Sequence, residues 1–146
     1  MPSFPEPGWF LALGRLMEAE GAVFQRLGFA ETSFVVRVIP DHAGNGGETL
    51  VGLVIDGYRL ARAEIVNDLN AFDPDFVICA KRSVWDRMLQ EIAESGRPSL
   101  RHTLSSLALV GEEMWLESSD QLREDKFYRY NQTLQEMLNL ASMLPT

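Results

Sequence analysis

The sequence predicts an α+β fold with a mainly antiparallel sheet, and three observations carry that expectation. Two β-prone runs, Leu50–Ile55 and Tyr58–Ile65, flank Asp56-Gly57, a dipeptide suited to a tight hairpin turn. In DPDFVICAKRSVWDRMLQEI, residues 73–92, the apolar period switches from strand-like to helical near Ser83. From Asp120 onward, Leu122, Phe127, Tyr130, Leu134, Met137, Leu138 and Ala141 recur as the stripe of a long helix.

In chain order, Trp9, Leu13, Leu16, Met17, Phe24 and Leu27 recur at helical spacing, and Gly28 can end the helix. Gly21 costs about 1 kcal/mol relative to Ala within it, so the helix is expected to be long or broken. Phe34–Ile39 is rich in β-branched residues and is stopped by Pro40, which reads as a strand. The DHAGNGGE segment, residues 41–48, reads as a mobile connector. The DG turn then makes Tyr58–Ile65 the antiparallel return of Leu50–Ile55, and Asn67–Asp75 reads as a loop. Phe76–Ala80 is a short apolar strand, followed by a helix on which Trp85, Met88, Leu89 and Ile92 fall at i, i+3, i+4 and i+7. Ser83 and Asp86 have the spacing of an N-terminal cap, and Gly96 supplies the stop. Pro98 opens a short helix ending near Thr103, and Leu107–Val110 reads as a strand before Gly111-Glu112. Ser118 and Gln121 have the spacing of a capping box for the last helix, whose predicted extent is 118–144.

The 146 residues are the length of one domain, and 46% apolar with 23% charged residues is the composition of a chain that folds by itself. A single domain over 1–146 is expected. The net charge of −8 opposes binding to nucleic acid and to anionic lipid surfaces. No apolar run approaches the roughly 20 residues that span a bilayer, so no stable membrane insertion is expected. One cysteine cannot form an internal bridge, and residues 1–8 do not resemble a signal peptide, so a cytoplasmic location is the expectation.

Tests for chemistry return structural readings. Cys79 lies in an apolar strand and reads as a small buried hydrophobe; Lys81 and Arg82 nearby keep a lowered thiol pKa in view as the alternative. His42 and His102 are in no metal-ligand spacing, and no phosphate-binding loop or nucleophile elbow is found, so neither metal nor cofactor is expected. Asp73 with Asp75, and Glu112 with Glu113, read as solvated turn carboxylates. In Lys126–Tyr130, KFYRY, helical spacing puts Phe127 and Tyr130 on the core face.

An apolar excess remains. Trp85, Met88, Leu89, Ile92, Leu100, Leu104, Leu107, Leu109 and Met114–Leu116, with Leu134, Met137, Leu138 and Met143, would line the space between the sheet and the later helices. Methionines adapt to varied ligands, but a solid core explains the same residues equally well.

The order of elements resembles the sterol-binding domain of the type-2 sterol carrier protein family. VGLVIDGYRLARAEI resembles that family's strand pair. PDFVICAKRSVWDRMLQEI resembles its aspartate-containing strand and tunnel-facing helix. GRPSLRHTLSSLALVGE resembles its closing helix and glycine-ended strand. The likeness runs over about Trp9–Leu116. It implies a five-stranded sheet covered by helices on one side, with a hydrophobic tunnel for fatty acyl chains or sterols. Trp85, Met88, Leu89, Ile92, Leu104 and Leu107 would stand at tunnel-lining positions; Met137 and Leu138, taken from the apolar stripe of the last helix and not from the resemblance, complete the candidate ligand-binding set. Three features depart from the family: the acidic charge, the ending LPT in place of a peroxisomal S-K-L address, and the long last helix.

The leading expectation is a non-enzymatic binder of an apolar small molecule or lipid, such as a fatty acyl chain or sterol, with transfer of that ligand as its extension. The alternatives are an interaction module with a filled core, forming a homodimer through the last helix, and a small enzyme using His102 or a carboxylate as base.

Overall fold

The computed structural model describes residues 2–42, 44 and 46–145, so Ala43 and Asn45 of the predicted connector lie outside the described residues. Five strands, β1 (Ala30–Ile39), β2 (Thr49–Gly57), β3 (Arg59–Ile65), β4 (Phe76–Lys81) and β5 (Met114–Glu117), form one sheet in the order β3-β2-β1-β4-β5. All neighbours are antiparallel except β1 and β4, which run parallel. The helices are α1 (Pro7–Ala19), α2 (Gly21–Leu27), α3 (Leu69–Phe72), α4 (Arg82–Ser95), α5 (Leu104–Val110) and α6 (Gln121–Asn139). Short 3-10 turns occur at Leu100–His102 and Leu140–Met143.

Period-two alternation decides the layers. Phe34, Val36 and Val38 of β1, Val51, Leu53 and Ile55 of β2, and Phe76, Ile78 and Ala80 of β4 point to one face, where α1, α4 and α6 cover them in the main core. Phe34 stacks on Phe76 at 5.3 Å between ring centres, and Phe127 of α6 meets Phe76 edge-on at 5.6 Å. The opposite face carries a smaller cluster of Val35, Val66, Val77 and Cys79, with Leu69 and Phe72 of α3 packed against it. Gly52 permits that packing: a Cβ there would lie 2.6 Å from the Phe72 ring.

The N-terminal helical stretch is broken between α1 and α2 at Glu20, as Gly21 suggests, and α2 ends at Gly28 with φ of 105°. The hairpin forms, but its turn is shifted by one residue. Asp56 pairs with Arg59, leaving Gly57 and Tyr58 between them, and Gly57 takes φ of 77°. Glycine at the first central position is the requirement of a type II′ turn, so Asp56 belongs to the strand.

Several expectations are corrected. Leu107–Val110 is not a strand but the end of α5. Thr103 caps that helix, its Oγ1 accepting from the Ser106 amide at 3.1 Å, and Gly111 closes it with φ of 77°. Leu104, Leu107 and Ala108 fall at i, i+3 and i+4 on its inward face, so the run LALV is one side of a helix read as a strand. The last strand is Met114–Glu117 instead. The predicted loop 67–75 contains α3, capped by Asp68, whose carboxylate accepts from the amides of Asn70 and Ala71. Ser83 is not the cap of α4. It lies inside the first turn, and Asp41 reaches across to accept from its amide at 3.1 Å and its hydroxyl at 2.6 Å. Asp120, not Ser118, caps α6, accepting from the Arg123 amide at 2.9 Å, and regular helix ends at Asn139.

Candidate functional site

The site is built where the covered face of the sheet meets α1, α4, α5 and α6. Phe34, Val36, Leu53 and Ile78 form its floor, Phe10, Trp85 and Leu104 its sides, and Leu134, Met137 and Leu138 its roof. These side chains enclose an apolar void of about 10 Å³. A water needs about that much room together with polar partners, which these walls do not offer. The interior is therefore closed and nearly filled.

Of the eight candidate ligand-lining residues, Trp85, Leu104, Met137 and Leu138 meet around this void. Met88, Ile92 and Leu107 are buried in the same core without lining it, and Leu89 is half-buried at its margin. Trp85 is fully buried because its one polar atom is satisfied: the indole N–H donates to the Arg37 carbonyl at 3.2 Å. Leu100, Leu109 and Met143 do not line the space but are exposed, and Trp115 packs on the opposite face of the sheet. Phe10 was not among the candidates. Its spacing to Leu13 and Met17, i, i+3 and i+7, is the signal that marks it.

Polar groups secure the roof. Asp75 is buried at the start of β4, contrary to the reading of a solvated turn carboxylate. Its Oδ2 accepts from Thr32 Oγ1 at 2.8 Å, the Ser33 amide at 3.2 Å and Lys126 Nζ at 3.2 Å, while Oδ1 accepts from Arg123 Nε at 3.2 Å. Arg123 also donates to Asp73 at 2.7 Å. Burial pushes the Asp75 pKa up, but these donors outweigh it and the net displacement is downward. The carboxylate thus joins β1, β4 and the first turns of α6. Asp73 remains exposed, and Glu113 at the other predicted pair is held below the usual range by its hydrogen bonds with Arg87.

The remaining candidates for chemistry are structural in their contacts. Burial pushes the Cys79 thiol up to about 12, with the nearby Glu117 charge adding to the effect, so the thiolate needed for nucleophilic attack is not formed at neutral pH. His102 is approached by Glu91 Oε2 at 2.7 Å and Ser99 Oγ at 3.1 Å, both at Nδ1. A triad needs hydroxyl and carboxylate on opposite ring nitrogens, and this arrangement cannot relay a proton between them. Glu91 also accepts from the Ser99 amide at 2.9 Å, so the three side chains tie the turn after α4 to that helix. His42 is exposed, and among the described residues no three His, Cys, Asp or Glu side chains cluster as metal ligands would. No helix among the described residues is long and apolar enough to cross a membrane.

No protein-family model matches the chain. No curated protein matches it either. Solved structures do. A crystal structure of sterol carrier protein 2 superposes with a TM-score of 0.69 and 24% sequence identity, covering 98% of this chain and 100% of that one. The solution structure of a conserved hypothetical protein from Thermus thermophilus, described as a possible sterol carrier protein, superposes with a TM-score of 0.65 and 24% identity, covering 98% of this chain and 90% of that one. The resemblance met in the sequence is thus one of architecture along nearly the whole chain, and the chain has the fold of sterol carrier protein 2.

Proposed function

We propose that the protein is a non-catalytic binder of a hydrophobic ligand, a fatty acyl chain or sterol, taken up between the sheet and α6. The observation that supports this reading is the wholly apolar void on which Trp85, Leu104, Met137 and Leu138 converge. A void of about 10 Å³ does not hold an acyl chain, so uptake requires the walls to part. Met137 makes the roof the more yielding wall, because an unbranched thioether can move between rotamers where a Trp cannot. Burying twelve methylenes contributes about 10 kcal/mol gross, against which stands the cost of separating the roof from the floor. Sterol carrier protein 2, as its name states, is a carrier of sterols, and the shared fold is in keeping with a ligand in this place.

A second reading has its own support. The small size of the void suits a domain with a filled core that acts through its surface, and Leu100, Leu109 and Val110 are 86%, 81% and 67% exposed. Homodimerisation is one form of this reading. Extraction of the purified protein with organic solvent, followed by mass spectrometry, separates the two when combined with a thermal-melt titration. A binder raises its melting temperature with ligand concentration, by mass action on the folded state. A protein that carries no lipid, and whose melting temperature is unmoved by fatty acids and sterols at micromolar concentration, is not a lipid binder.

A further inference from the structure

A closed interior site needs a way in, and the aromatic side chains of the N-terminal segment mark one. A surface groove of about 300 Å³ lies between this segment and the C-terminal residues Leu144 and Pro145, with Phe4, Trp9 and Ala12 in its wall. Phe4, with Trp9 beside it, stands between groove and interior. Its ring centre is 5.2 Å from Trp9, which faces the groove, and 5.9 Å and 6.0 Å from Phe10 and Trp85, which line the void. The Trp9 ring also meets Phe10, at 5.0 Å, but Trp9 is fixed in α1, whereas Phe4 lies outside any helix or strand and touches both Phe10 and Trp85.

We infer that this groove is the entrance to the interior site and that Phe4 is the residue that closes it; the inference rests on the proposed ligand-binding role. Opening is local. Phe4 belongs to no helix or strand, so swinging it outward breaks no ladder hydrogen bond. What holds it from outside is Arg82 at the start of α4, which donates from Nη2 to the Phe4 carbonyl at 3.1 Å and places its guanidinium 5.7 Å from the ring centre. Arg82 is itself about half exposed and also pairs with Asp86 at 3.0 Å, so it is a latch that solvent can reach. A competing way in is the groove between α5 and α6, of about 380 Å³. Gln132, Gln135 and Glu136 line it, and Gln135 accepts from the Leu104 amide at 2.8 Å. An apolar chain entering there would strip polar groups of their hydrogen bonds, a cost that the aromatic route confines to the Arg82–Phe4 contact, where solvent can replace the partner.

The test is stopped-flow uptake of the fluorescent fatty acid cis-parinaric acid by the full chain and four variants. Phe4→Ala is expected to accelerate association about tenfold, and Arg82→Ala, which leaves the core untouched, to accelerate it several-fold. Asp86→Ala controls for the loss of the Arg82–Asp86 pair, and Gln135→Ala probes the other groove; neither should change the rate. Uptake at unchanged rates in Phe4→Ala and Arg82→Ala overturns the entrance while leaving ligand binding intact. Acceleration by Gln135→Ala alone moves the entrance to the α5–α6 groove. Should Phe4→Ala not fold, Arg82→Ala decides by itself. If no protein in the series binds the probe, the ligand-binding role fails and the entrance fails with it.

Discussion

Asp75 concentrates more interactions than any neighbouring carboxylate, and its charge state is coupled to folding. Its pKa is lowered in the folded protein, below the unfolded value of about 3.9, so the stabilisation it contributes is present above that value and is lost as pH falls through the folded pKa. Asp75→Asn is expected to cost about 2 kcal/mol at pH 7 and to flatten the loss of stability in acid, as read by urea denaturation at pH 7 and below pH 4. An unchanged acid limb would show that other groups set it. Cys79 leads to a different expectation. With its thiol pushed up to about 12 and its side chain buried, it should resist iodoacetamide at pH 8 until denaturant is added. Alkylation of the native protein at the rate of a free thiol would remove the structural reading.

Among the elements, α3 is the least expected, and it depends on one glycine. Gly52 on β2 leaves room for Phe72, whereas a methyl group there would lie 2.6 Å from that ring and 2.7 Å from Val66. Gly52→Ala should therefore be strongly destabilising, and Phe72→Ala in the same chain should recover part of the loss. A double-mutant cycle in urea is expected to give a coupling energy of about 1–3 kcal/mol. Additive effects would mean that β2 shifts to admit the methyl group without moving α3. The capping corrections have a common cause at this scale. Ser83 and Ser118 each have the right spacing in sequence, but α4 starts before Ser83, whose own amide donates to Asp41 of the β1–β2 connection, and α6 starts after Ser118, with Asp120 accepting from the Arg123 amide. Spacing along a chain cannot weigh a competitor 42 residues away.

The whole molecule presents a closed interior under a helical roof, and the prediction that belongs to this scale enlarges it. Met137→Ala removes a roof side chain over the void and should lower stability by about 2–5 kcal/mol, measured by urea denaturation. If the interior is a binding site, the same variant should take up cis-parinaric acid more tightly, because less wall has to be displaced. Destabilisation without tighter binding is what a filled core would give. Fatty-acid titrations of the wild type and variant, monitored by fluorescence at matched protein concentration, decide between these outcomes.

Local chemistry determined much of this protein. The β2–β3 hairpin, the switch from β4 to α4 near Ser83, the long last helix and the burial of Cys79 are all legible in the sequence, since each rests on side-chain periodicity or on residues within one turn of each other. The lining positions Trp85, Leu104, Met137 and Leu138 were legible as apolar faces for the same reason. Tertiary structure alone decided that α5 is a helix capped by Thr103, that Asp75 is buried among donors from β1 and α6, and that the space under α6 closes to about 10 Å³. The difference is physical. A period in the sequence assigns a side chain to a face, but the room left between two faces is a small remainder of many packed volumes, set by contacts between residues far apart in the chain.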